Sequence, residues 1–274
     1  RILKDLDLDE KKWPARQAAW FINEQKDEAK RARDLEVGED LFRQTNQRIY
    51  RRYEETCFSG GLVDFAELLL RSHELLQNDR KLLEHYRERF KNILVDEFQD
   101  TNTIQYSWLK LLSGETAKVM VVGDDDQSIY GWRGARIENI HQFSADYSQV
   151  KTIRLEQNYR STQTILKAAN RLINNNSGRL GKELWSDGDA GELIKIYSGF
   201  NDIDEARFIV ERSRQWIDGG GSPDEIAILY RSNAQSRVLE EALLRADIPY
   251  RIYGGQRFFE RAEVKNALAY MRLM

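Results

Sequence analysis

Residues 93–102 read Ile93-Leu94-Val95-Asp96-Glu97-Phe98-Gln99-Asp100-Thr101-Asn102, three apolar residues followed directly by two acids. A short continuous apolar run is typical of a strand buried in a parallel sheet. Side chains at the carboxyl end of such a strand face the crevice where α/β proteins bind ligands. The pattern predicts that Asp96 and Glu97 reach a nucleotide site, where one acid holds Mg²⁺ and its neighbour activates the attacking water for ATP hydrolysis.

Each part of this interpretation has a plainer alternative. An isolated Asp-Glu pair at a strand end is more often two surface acids. The apolar strand before this pair and the Phe98-Gln99-Asp100 segment after it favour the nucleotide site instead. Gln99 is consistent either with polar filler or with a side chain that positions water.

The composition limits the class of protein. The 274 residues suffice for one large domain or two ordinary ones. The net charge of −3 gives no global signal for nucleic acid, although a local basic groove is sufficient for binding. A single cysteine, Cys57, excludes an intrachain disulfide and a four-cysteine zinc site, and fits a reducing compartment. No apolar run is long enough to span a bilayer.

The periodicity divides the chain into a helical part and an alternating part. Residues 1 to about 90 place apolar side chains at helical spacing, with a break at Gly60-Gly61. From residue 91, strands are predicted at 93–95, 118–122, 151–155, 193–197, 226–230 and 250–253. Helices are predicted at 103–112, 137–143, 202–218, 236–246 and 263–274, with another beginning after Arg160-Ser161-Thr162. Such alternation predicts a parallel sheet covered on both faces.

A second group of polar residues follows the predicted strand at 118–122. Gln127 can donate and accept hydrogen bonds at once, so it can detect a terminal phosphate. Tyr130, Trp132 and Arg133 lie among glycines, and exposed aromatics beside an arginine form a stacking platform for single-stranded bases. The alternative, that both aromatics plug a core, is less favoured because glycines and Arg133 flank Trp132.

Two further segments carry weaker signals. Arg160 stands at a strand-to-helix turn, from which an arginine can reach a γ-phosphate, and Tyr159 can stack on adenine. By itself this segment favours a plainer interpretation, a capping turn with an exposed arginine. Residues 254–263, with two glycines, Arg257 and Arg261, could contact phosphates or form an ordinary connection. The histidines show no metal-ligand spacing.

Three of these segments together resemble a known family. Val-Asp-Glu-Phe-Gln-Asp-Thr-Asn resembles the Walker B motif of superfamily 1 DNA helicases. The segments Val-Gly-Asp-Asp-Asp-Gln-Ser-Ile-Tyr-Gly-Trp-Arg-Gly-Ala and Leu-Glu-Gln-Asn-Tyr-Arg-Ser resemble their third and fourth motifs. Their order and spacing are similar to those of the UvrD/Rep/PcrA group. The resemblance implies a bacterial, cytoplasmic ATP-dependent 3′-to-5′ DNA helicase that acts on single-stranded DNA and single-strand/duplex junctions in repair or replication, with possible DNA-repair partners.

The resemblance also implies a role for each candidate residue. Asp96 would bind Mg²⁺, and Glu97 would be the catalytic base and a second metal neighbour. Gln127 and Arg160 would contact the γ-phosphate of ATP. The remaining candidates would bind nucleotide or DNA: Gln99 and Tyr159 at the nucleotide, and Tyr130, Trp132 and Arg133 along the single-stranded DNA.

The resemblance implies an α/β fold built from RecA-like (P-loop NTPase) parallel sheets. Residues 1–88 would form an α-helical accessory region. Residues 89–158 would be part of a first RecA-like domain, and residues 159–274 the start of a second.

The chain departs from the family pattern in one respect. It contains no Gly-x-x-x-x-Gly-Lys-[Ser/Thr] phosphate loop and ends before the last family motifs. We therefore expect a piece of a larger protein that by itself hydrolyses ATP poorly. Two alternatives stay open: the helicase part of a helicase–nuclease, and a non-hydrolysing DNA-binding module.

Overall fold

The structure, a computed structural model, describes residues 1–253 and 262–273. It is mixed α/β with a small parallel sheet. Contacts divide the chain into two units, residues 1–191 and residues 192–274. This division does not coincide with the domain boundaries predicted at residues 88 and 158, and those boundaries stay predictions.

The first ninety residues are helical, as predicted. The helices before the sheet are α1 (Ile2–Asp5), α2 (Ala15–Asp27), α3 (Leu41–Gly60), α4 (Phe65–Asn78) and α5 (Arg80–Arg89). Asp40 begins α3 by accepting the backbone N–H groups of Phe42 and Arg43. Gly61 ends it in the left-handed conformation, with φ of 63°, which glycine adopts without steric cost.

Two parallel strands form the sheet in the described part of the chain. Strand β1 (Asn92–Val95) pairs with β2 (Lys118–Val121), and helix α6 (Thr103–Ser113) connects them. Asn102 caps α6 by accepting the N–H of Gln105. These elements confirm the predicted strand–helix–strand unit around the two acids.

The sheet is covered on one face, so the prediction of two covered faces is wrong. Four side chains of the covered face pack against a cluster of buried aromatic and aliphatic residues from helix α6, helix α7 (Glu138–Asp146) and the turn at Phe98. On the opposite face, Leu94 is 73% exposed and Met120 is 57% exposed. The two helices that cover the sheet, α6 and α7, contribute their apolar side chains to the other face.

Four predicted strands do not form in the described residues. The segments 151–155, 193–197, 226–230 and 250–253 carry no sheet pairing. Their apolar side chains lie largely in solvent, as at Ile153 (68% exposed) and Ile196 (95% exposed). A strand is completed by backbone hydrogen bonds to a neighbouring strand, and β-branched composition does not replace that neighbour.

The later helices agree with the predictions. Helix α8 (Gln163–Ile173) follows Thr162, although no side-chain hydrogen bond caps its start. In the second unit, α9 (Asp202–Asp218), α10 (Asn233–Arg245) and α11 (Ala262–Leu273) occupy the predicted positions. Ala206 and Leu243 are buried residues of α9 and α10.

A buried ion cluster joins helices of the N-terminal helical part, residues 1–90. Lys26 is 2% exposed, and its Nζ lies 2.7 Å from Asp64 Oδ2 and 2.9 Å from Glu67 Oε2. Arg31 donates to Glu67 at 2.8 Å and to Glu74 at 2.6 Å. The cluster ties α2 to α4 through charges that are removed from water.

The carboxylates of this cluster depend on their cationic partners. Burial alone would raise the pKa of Glu67, but hydrogen bonds from Lys26, Arg71 and Arg31 outweigh it and hold that pKa below its ordinary value. Burial acts in the same way on Asp64, whose pKa is lowered by Lys26 and Tyr53. Both acids therefore stay charged in the folded protein.

Replacing Lys26 should destabilise the N-terminal helical part strongly. Lys26→Met removes the positive charge that pairs with the carboxylates of Asp64 and Glu67. Breaking a buried ion pair costs about 3–5 kcal/mol. Arg31 still faces Glu67, so we expect a loss of about 3 kcal/mol in the free energy of unfolding, measured by urea denaturation. Lys30→Met is the matched control, because Lys30 is exposed on the same segment. Equal effects of the two substitutions would contradict a structural role for the cluster.

Candidate functional site

The two acids that follow β1 are exposed at the carboxyl end of the strand. Glu97 has a φ of 50°, and its N–H donates to Asp96 Oδ1 at 3.0 Å. A residue with a Cβ in the left-handed region costs about 1–3 kcal/mol, and such strain concentrates at functional sites. The backbone therefore presents both carboxylates at the edge where the nucleotide site was predicted.

Gln99 connects the two strand ends. Its side chain is almost fully buried, with 1% exposed. Its Nε2 donates to Glu97 Oε2 at 2.7 Å, and its Oε1 accepts the Asp124 N–H at 3.0 Å. Gln99 is thus more than polar filler, because both ends of its amide are used to orient Glu97 relative to the next loop.

Gly123 makes room for this arrangement. A Cβ at Gly123 would lie 2.7 Å from Gln99 Oε1 and 3.2 Å from the backbone nitrogen of Phe98. The Phe98 N–H also donates to the carbonyl of Val122 at 2.9 Å. A side chain at position 123 would therefore push apart the two loops that Gln99 joins.

The second loop continues the hydrogen-bonded series to Gln127. The Gln127 Nε2 donates to Asp124 Oδ2 at 2.9 Å, and Lys182 forms an ion pair with Asp124 Oδ1. Burial alone would raise the pKa of Asp124, but the hydrogen bonds from Lys182 and Gln127 lower it below its ordinary value. The predicted base and the predicted phosphate sensor are therefore linked through Gln99 and Asp124.

The carboxylates near the two strand ends differ in their surroundings. Asp124, Asp125 and Asp126 place oxygens within 4.8 Å of one another, but Lys182 and Arg179 neutralise two of them. In the described part of the chain, no cationic side chain pairs with Asp96 or Glu97. Mg²⁺ prefers carboxylate oxygens that are not already neutralised, so its chemistry fits Asp96 and Glu97 better.

The aromatic loop presents Trp132 to solvent, whereas Tyr130 is half-buried. Trp132 is 74% exposed, which excludes the alternative that it plugs a core. The Arg133 guanidinium carbon lies 4.5 Å from the Trp132 ring centre and 4.9 Å from that of Tyr130. Arg133 thus holds two aromatic rings around one positive charge, an arrangement suited to stacking bases and pairing phosphates.

The turn before α8 forms a separate group. Asn158 Oδ1 accepts the N–H groups of Arg160 and Ser161 at 2.9 and 2.8 Å, which shapes the turn. Tyr159 is 86% exposed. Among the described residues, no hydrogen bond or ion pair joins Tyr159 or Arg160 to the loops at the strand ends. Of the predicted 254–263 segment, residues 254–261 lie outside the described residues.

The sequence did not single out several residues that shape the site. Asp27, at the end of α2, accepts a hydrogen bond from Asn102 Nδ2 at 2.9 Å and so joins α2 to the start of α6. Its pKa is raised to about 6, mainly by burial and also by the charge of Glu28. Lys182 and Arg179 follow α8 and carry only a weak signal, two basic residues among glycines.

Comparisons with known proteins cover the whole chain. Residues 1–148 match the UvrD/REP helicase N-terminal domain, and residues 153–274 match the UvrD-like helicase C-terminal domain. DNA helicase II of Escherichia coli (strain K12) is 64% identical over all 274 residues, and that of Haemophilus influenzae is 57% identical. ATP-dependent DNA helicase PcrA of Staphylococcus epidermidis is 42% identical. The chain spans 38% of the length of each of these relatives. None of the described helices is both long and apolar enough to cross a membrane.

The raised pKa of Asp27 predicts a pH-dependent stability. Folding raises this pKa from 3.8 to about 6, so the folded protein binds the proton more tightly and loses stability as the pH rises from about 4 to about 6. Asp27→Asn should make the free energy of unfolding fall less over this range, measured by urea denaturation at each pH. Glu24→Gln, an exposed acid on the same helix, is the control. Parallel curves for wild type and Asp27→Asn would contradict the assignment.

Proposed function

Since this chain belongs to the UvrD/REP helicase family, we propose that it is the part of an ATP-dependent DNA helicase that links the water-activating acid to the DNA-contacting loop. The family matches confirm the resemblance of the three segments. The observation that carries the proposal is the hydrogen-bonded series from Glu97 through Gln99 and Asp124 to Gln127.

A RecA-like fold is part of this proposal. The parallel pair β1–β2, the connecting helix α6 and the polar residues at both strand ends support it. The accessory region at 1–88, the first domain at 89–158 and the second from 159 remain its proposed parts. Because the 274 residues contain no P-loop phosphate motif, the proposal assigns hydrolysis to the full-length protein.

Asp96 and Glu97 would act on the nucleotide at the end of β1. A bound Mg²⁺ would neutralise charge on the phosphates of ATP, with Asp96 as its protein ligand. Glu97 would accept a proton from the attacking water, and the hydrogen bond from Gln99 leaves its other carboxylate oxygen available for that proton. Gln127 would contact the terminal phosphate, and Tyr159 and Arg160 would bind adenine and phosphate from their separate turn.

Tyr130, Trp132 and Arg133 would contact single-stranded DNA next to a duplex junction. They follow Gln127 by three to six positions, so a change at the terminal phosphate can reach the aromatic rings over a short path. Exposure of Trp132 and the adjacent positive charge support base stacking. Movement in the 3′-to-5′ direction, DNA-repair partners and a bacterial cytoplasmic location remain proposals that rest on family likeness.

Glu97→Gln should remove most of the ATPase activity of the full-length protein. The amide keeps the size of the side chain but cannot accept the water proton, and general-base catalysis contributes about 10²–10⁴-fold. We expect kcat to fall at least about a hundredfold with little change in KM, measured with saturating single-stranded DNA. Glu88→Gln, an exposed acid of α5, is the matched control. A kcat for Glu97→Gln close to that of wild type would sink the assignment.

Trp132→Ala should weaken DNA binding and separate hydrolysis from unwinding. Stacking on an aromatic side chain is worth about 1–3 kcal/mol per base, so affinity for single-stranded DNA should fall roughly tenfold or more. Fluorescence anisotropy and a strand-separation assay measure the two effects. Trp20→Ala is the matched control, because Trp20 is 63% exposed with Arg16 over its ring but lies on α2. Unwinding per ATP that is unchanged by Trp132→Ala would rule out the stacking role.

A further inference from the structure

We propose that Arg179 and Lys182 are positioning residues for ATP hydrolysis, which hold the loop of Gln127 in the orientation that its hydrogen bond to Gln99, and through Gln99 to Glu97, requires. The proposal rests on the proposed function. We call residues 179–182 the basic clamp and residues 124–126 the acidic turn.

Each acid of the acidic turn is bound by the basic clamp through a hydrogen bond or an ion pair. Arg179 binds Asp126 with two parallel hydrogen bonds, from Nε to Oδ1 at 2.9 Å and from Nη2 to Oδ2 at 2.6 Å. Lys182 forms an ion pair with Asp124, and the Leu180 N–H donates to Asp125 Oδ2 at 2.7 Å. The four ion-paired side chains are 13–25% exposed, so solvent screens them less than ordinary surface charges.

The basic clamp is itself held in place. Arg179 donates to Asn174 Oδ1 at 2.9 Å and to the carbonyl of Lys182 at 3.0 Å. Asn170, on α8, forms two hydrogen bonds with the backbone of Leu184, at 2.8 and 3.1 Å. These hydrogen bonds anchor the basic clamp to α8. The clamp can therefore fix the position of the acidic turn relative to α8.

The acidic turn transmits this support to the candidate catalytic side chains. Asp124 shares its carboxylate between Lys182 and the amide of Gln127, and its backbone N–H donates to Gln99. Removal of Lys182 would leave the Asp124 carboxylate with no cationic partner and only two neutral donors, the Gln127 amide and the Asp126 N–H, so both Gln127 and Gln99 would shift. Misplacement of a catalytic group by about 1 Å can cost about a hundredfold in rate.

The clamp also joins the two family matches. The acidic turn lies in the N-terminal match, residues 1–148, and the basic clamp lies in the C-terminal match, residues 153–274. Both lie in the unit formed by residues 1–191. The ion pairs therefore connect residues of the C-terminal match directly to the loop that carries Gln127.

A charge exchange in the full-length protein tests the proposal. Arg179→Asp and Asp126→Arg should each lower kcat for ATP hydrolysis about tenfold or more at saturating single-stranded DNA, and the double variant should regain activity to within about threefold of wild type. The KM for single-stranded DNA should not change, because neither residue contacts DNA in this proposal. Lys167→Ala, an exposed lysine of α8, is the control and should keep the wild-type kcat.

The outcomes separate this proposal from the proposed function. Absence of DNA-stimulated ATPase in the wild-type full-length protein would overturn the proposed function itself. Wild-type kcat in both single variants, or no recovery in a folded double variant, would overturn the clamp. If the charge reversals unfold the protein, Lys182→Gln decides: a tenfold lower kcat at an unchanged thermal midpoint supports the clamp, and wild-type kcat rejects it.

Discussion

The buried amide of Gln99 is the interaction on which the site depends. An amide carries donors and an acceptor, and both must be satisfied when the group leaves water. Here Glu97 takes the donor and the backbone of Asp124 supplies the N–H for the acceptor. The loops after β1 and β2 are thereby held at one separation, and Gly123 is required because a Cβ would meet the Gln99 oxygen.

The acidic side chains around this amide have two different surroundings. Asp96 and Glu97 stand at the end of β1 without a cationic partner in the described chain, which leaves their oxygens available to a cation or to water. Asp124 and Asp126 are neutralised by Lys182 and Arg179 and serve as supports. All four residues are carboxylates, so residue identity does not distinguish them. The presence or absence of a cationic neighbour distinguishes the proposed catalytic pair, Asp96 and Glu97, from the paired acids Asp124 and Asp126.

Helices were easier to predict than strands, because helical contacts are local in sequence and strand pairing is not. Helices such as α9 were predicted well, because their hydrogen bonds and apolar spacing lie within a few residues. Strands at 93–95 and 118–122 also formed, since they pair with each other. The apolar runs at 193–197 and 226–230 gave the same signal but have no paired neighbour among the described residues, and propensity alone does not make a sheet.

The sequence by itself determined the family, the helical character of the first ninety residues and the placement of polar residues directly after two strands, because these are properties of local order and spacing. Only the tertiary structure showed that Gln99 joins the two loops, that Lys26 lies buried between Asp64 and Glu67, and that Arg179 reaches Asp126 across 53 positions of the chain. The physical reason is that burial and charge pairing depend on neighbours in space, which a one-dimensional pattern of residue types does not contain.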